Sequence, residues 1–355
     1  MSLKPGSTIG IVGGGQLGRM LAMAAARLGY RVRIYAPEND SVAGEVAAAR
    51  DVGDYFRSDL FSAFAEACDV VTYEFENVPS GPLALIEPKV PLHPPVRAIE
   101  IAQDRVAEKG FVRGLGGRTA AFAIVNDRSE LSGALSAVGL PAILKTIRFG
   151  YDGKGQARVE REEDAGRAWH FIRRKPAIAE ELVRFEREYS VILVRGADGE
   201  IRFWDSCENR HSAGILAETR VPAHPDILAQ EEEARALARR VAEELGYVGV
   251  LTLEYFATKD GPLFNEMAPR VHNSGHWTIE GAITSQFENH IRAICGLPLG
   301  STALAAREVR MENLIGDDAA RWREILADPA AHLHLYGKSA PRPGRKMGHV
   351  TWLIR

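Results

Sequence analysis

VGVLTLEYFATKDGPLFNEMAPR, residues 248–270, is two apolar runs around a short polar turn, the pattern of a β-hairpin. If the loop is Lys259-Asp260-Gly261, three residues with glycine last, Thr258 faces Pro262 and Glu254 lands directly opposite Glu266. Opposed residues share a face, with Cβ atoms about 4.5–5.5 Å apart. Leu253, Tyr255, Phe264 and Met267 flank the two acids, so the setting is partly buried. Two buried carboxylates that close repel unless one is protonated or a cation bridges them. Oxygen donors point to Mg²⁺, with Mn²⁺ as a substitute, rather than zinc. A two-residue loop would shift the pairing by one and put the acids on opposite faces.

Upstream, FGYDGKGQ (149–156) follows the apolar run Ala142–Lys145 and precedes a second run from Ala157 to Glu160. Three glycines make a loop between strands whose amides can close over phosphates, and Lys145 and Lys154 add positive charge. The spacing is not that of a P-loop. The plainer alternative is a solvated hairpin. At the start of the chain, Thr8–Val12 reads as a buried strand, GGGQLGRM (13–20) as a glycine turn, and 16–28 as a helix ended by Gly29. Gly13, Gly15 and Gly18 fit G-x-G-x-x-G, which suits an anion at a helix start. A dinucleotide, with Glu38 or Asp40 on its ribose, a substrate phosphate and a purely structural turn all fit that signal.

Strand, helix, strand repetition over the first hundred residues predicts a parallel sheet, and Pro88, Pro91, Pro94 and Pro95 mark a boundary. A helix is expected over 98–114 and a small α/β unit to about 180, with helix 162–173. Strands are expected at 189–194, 201–206 and 215–221, and a helix over 225–245. The segment PRPGRKMGH (341–349) reads as a basic turn near the end. The chain divides as 1–97, 98–298 with a lid at about 115–180, and 299–355.

The 355 residues are 46% hydrophobic and 26% charged, which excludes a disordered chain. With 44 Lys+Arg against 47 Asp+Glu, net −3, nucleic acid is not favoured as a partner. Three scattered cysteines spell neither a disulfide framework nor a CxxC metal site. Residues 1–6 hold no apolar signal core, and no run approaches the ~18 apolar residues of a membrane span. The expectation is a cytoplasmic protein without membrane contact. His332 and His334, Glu231–Glu233, Trp169 and Trp322 read as structural or solvated.

The set YEFENVP (73–79), EELVRFERE (180–188), NRHSAGI (209–215), ELGYVGVLTLEYF (244–256), NEMAPRVHNSGHWT (265–278), SQFENH (285–290) and PGRKMGH (343–349), with both glycine loops, resembles the ATP-grasp superfamily. Within it, the chain is most similar to the 5-(carboxyamino)imidazole ribonucleotide synthetases of purine biosynthesis. The resemblance implies an α/β fold, α+β in its grasp part: a Rossmann-like N-terminal domain, a grasp domain with a small lid, and a β-rich C-terminal domain. It implies a homodimeric ligase acting on 5-aminoimidazole ribonucleotide, bicarbonate and MgATP. A related enzyme, the formate-dependent glycinamide ribonucleotide transformylase type, is the alternative.

On this chain the resemblance places ATP against Arg105, Lys145, Gly150, Tyr151, Asp152, Gly153, Lys154, Gly155 and Gln156. Glu180, Glu181, Leu182 and Val183 form the adenine linker, with Leu182 where an aromatic or compact residue is usual. Glu188 takes the ribose hydroxyls, His211 lies near the triphosphate, and Asn265 stands beside the metal ligands Glu254 and Glu266. The ribonucleotide is implied to sit on Gly15, Gln16 and Leu17, Glu76, Tyr151, Asp152, Arg270, His272 and Asn273. Lys338, Arg345 and Lys346 face its phosphate. Asp152, Lys154, Arg270, His272 and Asn273 carry the catalytic expectation, with Asp152 or His272 handling the amine proton. A nicotinamide oxidoreductase would use the first loop alone and leave the opposed glutamates without a task. A non-catalytic nucleotide sensor predicts loss of those acids, and both are present.

Overall fold

The short apolar runs at the start of the chain become a four-stranded parallel sheet. In the computed structural model, which describes residues 2–148, 150 and 155–354, its order is β3-β2-β1-β4. The strands are β1 (Thr8–Val12), β2 (Arg31–Ala36), β3 (Ala49–Val52) and β4 (Val70–Tyr73). The helices between and after them are α1 (Gln16–Arg27), α2 (Ser58–Glu66) and α3 (Ser80–Ile86).

The helix expected over 98–114 is two helices, α4 (Val96–Ala102) and α5 (Arg105–Gly114). The break has a physical cause: Asp104 leaves the helix to cap α5, its Oδ1 accepting from the amides of Val106 and Ala107, both at 3.1 Å. A second sheet follows, order β5-β8-β6-β7, from β5 (Phe122–Val125), β6 (Ala142–Thr146), β7 (Gln156–Val159) and β8 (Ala177–Glu181). Helices α6 (Leu131–Val138) and α7 (Ala165–Phe171) cover it, burying Leu131, Leu135 and Trp169.

The third sheet has nine strands. Its path is β14-β13-β9-β11-β12-β15-β17-β16, with β10 on β9. It is built from β9 (Arg187–Arg195), β10 (Ile201–Phe203), β11 (Cys207–Ser212), β12 (Ile215–Val221), β13 (Gly249–Thr258) and β14 (Gly261–Ala268). β15 (Glu308–Ile315), β16 (Ala331–Leu335) and β17 (Lys346–Ile354) extend it, so the last segment is hydrogen-bonded into the sheet that carries the hairpin. The strand β11 was not legible, because CENRHS alternates no apolar residues. The helix expected over 225–245 is interrupted, as α8 (Pro225–Leu228) and α9 (Glu231–Glu244). Two further helices, α10 (Thr278–Gly281) and α11 (Gln286–Ile294), close the sheet on one side.

One buried apolar cluster runs from Ile9, Leu21 and Ala25 of the first sheet layer into Ile192, Val250, Phe287 and Ile291. Hydrophobic burial therefore ties the N-terminal sheet to the central one. At the same junction, His290 Nδ1 accepts from the Val250 amide at 3.1 Å and Nε2 stands 2.9 Å from Thr72 Oγ1. That arrangement fixes a neutral ring with its proton on Nε2, and burial pushes its pKa down to about 3. The folded pKa is depressed, so the unfolded chain takes up a proton first as pH falls below the usual histidine value, and the stability from neutral His290 is lost between there and the folded pKa. His290→Asn should cost about 1–3 kcal/mol at pH 8. The deficit should shrink by about 1.4 kcal/mol per pH unit below about 6.5. Chemical denaturation of both proteins at pH 8, 6 and 5 measures this; a constant deficit would contradict the assignment.

Candidate active site

The hairpin reaches the expected opposition of Glu254 and Glu266 by a different route. The loop is only Lys259-Asp260: Thr258 pairs with Gly261, Ala257 with Pro262 and Tyr255 with Phe264. The three-residue loop is thus incorrect, and on that register alone Glu254 would face Asn265. A bulge between Tyr255 and Glu254 restores the pairing, with Asn265 as the extra residue and Glu254 opposite Glu266.

Burial raises the pKa of Glu254, and the charge of Glu266 raises it further. Its neighbour is His272, whose Nε2 is 3.3 Å from Glu254 Oε1. His272 Nδ1 accepts from the Ser274 amide at 3.3 Å, so the ring proton sits on Nε2 and points at Glu254. Burial first, then Arg270 and Lys346, holds His272 neutral with a pKa well below normal. His272 thus faces a carboxylate of the opposed pair through Nε2. Glu266 lies 3.4 Å from the Arg105 guanidinium, which also donates to the Gly150 carbonyl at 3.2 Å. Among the described residues no group of three or more His, Cys, Asp or Glu is arranged to hold a metal ion. Two opposed oxygen donors, Glu254 half-buried and Glu266 open to the cleft, fit Mg²⁺, which keeps most of its coordination for phosphate and water.

Helix α5 turns one face to this hairpin. Arg105, Glu108 and Lys109 stand at helical spacing i, i+3, i+4. Glu108 accepts from the Met267 amide at 2.7 Å, and Lys109 Nζ donates to the Asn265 carbonyl at 3.4 Å. Neither residue was singled out from sequence, although their spacing from Arg105 was the available signal. Lys145 and Lys109 both reach Glu180, at 2.8 Å and 3.3 Å, one on each carboxylate oxygen. Burial alone would raise the Glu180 pKa, yet the two ammonium groups hold it down at about 2.

Glu180 therefore sits inside β8 with its side chain committed to lysines, rather than open to adenine. Glu181 and Leu182 follow, their amides donating to the carbonyls of Ala121 at 2.9 Å and Pro141 at 3.2 Å, with Val183 next in the linker. Glu188 and His211 bond to each other. Burial disfavours the charged His211 ring, but the Glu188 hydrogen bond and the charges of Glu254 and Glu188 outweigh it and raise its pKa. Tyr151, Asp152, Gly153 and Lys154 lie outside the described residues.

The first glycine loop holds a surprise for the anion reading. Glu74, just past β4, reaches into it: Oε1 accepts from the Gly15 amide at 2.9 Å and Oε2 from the Gly18 amide at 3.1 Å. The helix start carries its own anion. The expectation that these two amides face a phosphate is corrected accordingly, and a dinucleotide pyrophosphate loses its seat. The glycines make room for this carboxylate, since a Cβ on Gly13 would lie 2.6 Å from Glu74 Cγ and one on Gly15 2.7 Å from Oε1. Gly15 has ordinary extended backbone angles, so only Glu74 forbids a side chain there. If the ribonucleotide that the resemblance implies sits on this loop, Gly15→Ala should raise its KM about tenfold or more while KM for ATP stays put, a shift of about 1.4 kcal/mol in steady-state kinetics. Equal effects on both would refute the placement. Glu74 and Glu76 stand two apart in the same motif, and nothing in the sequence separates the one that turns to the glycine loop from the one that turns to Arg270.

Glu76 itself is bonded to Arg270 Nε. Asn273 is buried, and among the described residues its amide oxygen and nitrogen have no partner. Lys338 donates to the Lys346 carbonyl at 2.7 Å, and Arg345 to the Ala340 carbonyl at 2.9 Å. All these groups meet in one cleft of about 870 Å³. Its walls take in Gly15, Gln16 and Leu17, Glu76, Arg105, Lys145, Gly150, Gln156, Glu188 and His211. They also take in Glu254, Asn265, Glu266, Arg270, His272, Asn273, Lys338, Arg345 and Lys346, with Arg342 as a further basic residue not foreseen. Gly155 lies at the start of the described part of the loop, its ideal Cβ position 2.8 Å from Thr146 Oγ1.

An opposed carboxylate pair on a sheet hairpin, facing a small antiparallel sheet with its lysine, defines a ligase of the ATP-grasp class. Residues 111–287 match the ATP-grasp domain, residues 6–103 the ribonucleotide synthetase preATP-grasp domain, and residues 310–355 the phosphoribosylaminoimidazole carboxylase C-terminal domain. The chain is 50% identical over 353 residues to the N5-carboxyaminoimidazole ribonucleotide synthase of Brucella melitensis, spanning 99% of this chain and 97% of that protein. It is similar to the crystal structure of N5-carboxyaminoimidazole ribonucleotide synthetase from Thermus thermophilus, with TM-score 0.90, 49% identity, and coverage of 98% and 93%. The Aspergillus clavatus N5-carboxyaminoimidazole synthase, solved with ADP and 5-aminoimidazole ribonucleotide, matches with TM-score 0.92 and 32% identity over 99% of this chain and 94% of that one. The chain belongs to the N5-carboxyaminoimidazole ribonucleotide synthase family.

Proposed function

We infer that the chain carboxylates 5-aminoimidazole ribonucleotide with bicarbonate, cleaving ATP and giving N5-carboxyaminoimidazole ribonucleotide, ADP and phosphate. The observation that carries this reading is the meeting, in one cleft, of the opposed acids with Arg105, Lys145 and His211 on one side and the Gln16 loop, Asn273 and a basic C-terminal turn on the other.

A bicarbonate oxygen attacks the γ-phosphorus, ADP leaves, and carboxyphosphate remains. The exocyclic amine then attacks its carboxyl carbon, or that of CO₂ released from it. Phosphate departs and the amine gives up a proton. Arg105 and Lys145, with His211, whose charged form Glu188 favours, neutralise the triphosphate, which is the main requirement of phosphoryl transfer. Glu254 and Glu266 would hold Mg²⁺, which when bound supplies further charge neutralisation at the phosphate oxygens. Lys338, Arg342, Arg345 and Lys346 supply the positive wall for the 5′-phosphate. The unpartnered amide of Asn273 offers a donor and an acceptor to the imidazole or to bicarbonate. Carboxyphosphate hydrolyses readily, so the loop at 149–156, including Tyr151, Asp152 and Lys154, has water exclusion as its task.

ADP release with bicarbonate plus 5-aminoimidazole ribonucleotide tests the reading. Turnover with formate plus glycinamide ribonucleotide, and none with the first pair, would refute it.

A further inference from the structure

The charge count around Glu180 has a consequence for ATP. Glu180 is one carboxylate between two lysines, and all three side chains are buried: Lys109 is 1% exposed, Glu180 5% and Lys145 10%. Lys145 alone of the three lines the cleft. Taken with Glu180 only, Lys145 belongs to a neutral pair, and a phosphate oxygen would have to displace a buried carboxylate to use it. Taken with Lys109 as well, the three groups carry one net positive charge, and of the three only Lys145 lines the cleft.

The geometry separates the two contacts. Lys145 takes Oε2 and Lys109 takes Oε1, so they do not compete for one oxygen. Lys109 is held in place from a second side by the carbonyl of Asn265, the bulge residue next to Glu266. It is 1% exposed and is not among the described residues that line the cleft, so it stands behind Lys145 rather than beside a phosphate. We propose that Lys109 is a positioning residue for ATP: by neutralising Glu180 from behind, it frees the Lys145 ammonium to turn to the triphosphate. This rests on the reading of Lys145 as a phosphate ligand given above.

A double-mutant cycle on the full-length enzyme tests it, with KM for ATP, KM for 5-aminoimidazole ribonucleotide and melting temperature as readouts. Lys109→Met keeps the buried stem and leaves Glu180 balanced by Lys145, so the fold should hold. KM for ATP should rise about tenfold or more, as expected when a buried charge partner is withdrawn, with KM for the ribonucleotide unchanged. Lys109→Arg should retain most of the ATP affinity. In a Glu180→Gln background there is no carboxylate left to neutralise, so Lys109→Met should add nothing to KM for ATP. An unchanged KM in Lys109→Met, or an equal penalty with and without Glu180, would overturn the proposal. Lys145→Met separates this from the underlying reading. If Lys145→Met weakens ATP while Lys109→Met does not, only the role of Lys109 falls. If Lys145→Met has no effect, both fall.

Discussion

Glu254→Gln is expected to lose turnover by roughly 10²–10³-fold, the scale of removing one preorganised charge contact from a phosphoryl-transfer site. The same variant should be more stable than the parent in metal-free buffer at pH 8, by roughly 1–2 kcal/mol. The two effects share a cause. Burial and the facing Glu266 raise the pKa of Glu254, so holding it ionised at pH 8 costs folding free energy. Glutamine keeps an oxygen for the His272 proton and removes the repulsion. Added Mg²⁺ should raise the melting temperature of the parent and do much less for the variant. Glu266→Gln should share the loss of turnover but not the gain in stability, because Arg105 then loses its carboxylate. Calorimetry and ADP release on the three proteins check this. A Glu254→Gln enzyme with parental turnover would end the metal-site reading.

Arg270→Met is expected to be the most damaging single change for folding among the cleft residues. Burial raises the pKa of Glu76, and the Arg270 guanidinium more than offsets it, holding Glu76 below the usual carboxylate value. Without Arg270, Glu76 remains as a partly buried carboxylate without its counter-charge, a loss of about 3 kcal/mol or more. Adding Glu76→Gln should restore most of the stability, since a neutral pair needs no compensation. It should not restore turnover if Arg270 faces the ribonucleotide as proposed, because that site would still lack its cation. Denaturant titrations of the single and double variants decide the first point. A double variant no more stable than Arg270→Met would place the damage elsewhere.

The hairpin shows how much of the molecule could be read in advance and why the rest could not. Alternation located both strands, and the opposed acids were found. The loop was read one residue too long and the bulge was not foreseen, and the two misreadings cancelled at Glu254. Turn length follows from local residues, but a bulge answers to what packs beside it, here the α5 side chains Glu108 and Lys109 on Met267 and Asn265. The strand β11 escaped because its alternate positions are polar, which removes the period-two signal. The glycine loop was legible as a helix start with free amides; that its anion comes from Glu74, 56–59 residues away in sequence, was not. Several motifs of the resemblance send residues into the cleft, among them Gln16, Glu76, Glu188, His211, Glu266, Arg270 and Arg345, while SQFENH and Glu180–Val183 do not line it, and partners that lie behind, such as Lys109, leave no mark in a motif.

An anion that belongs to the chain also alters what ligand arrival demands. A loop that waits for phosphate must be ordered by it, and that entropy is subtracted from affinity. Here the loop that carries Gln16 is already held by a carboxylate of the chain itself, Glu74, so its order does not wait on the arrival of a phosphate.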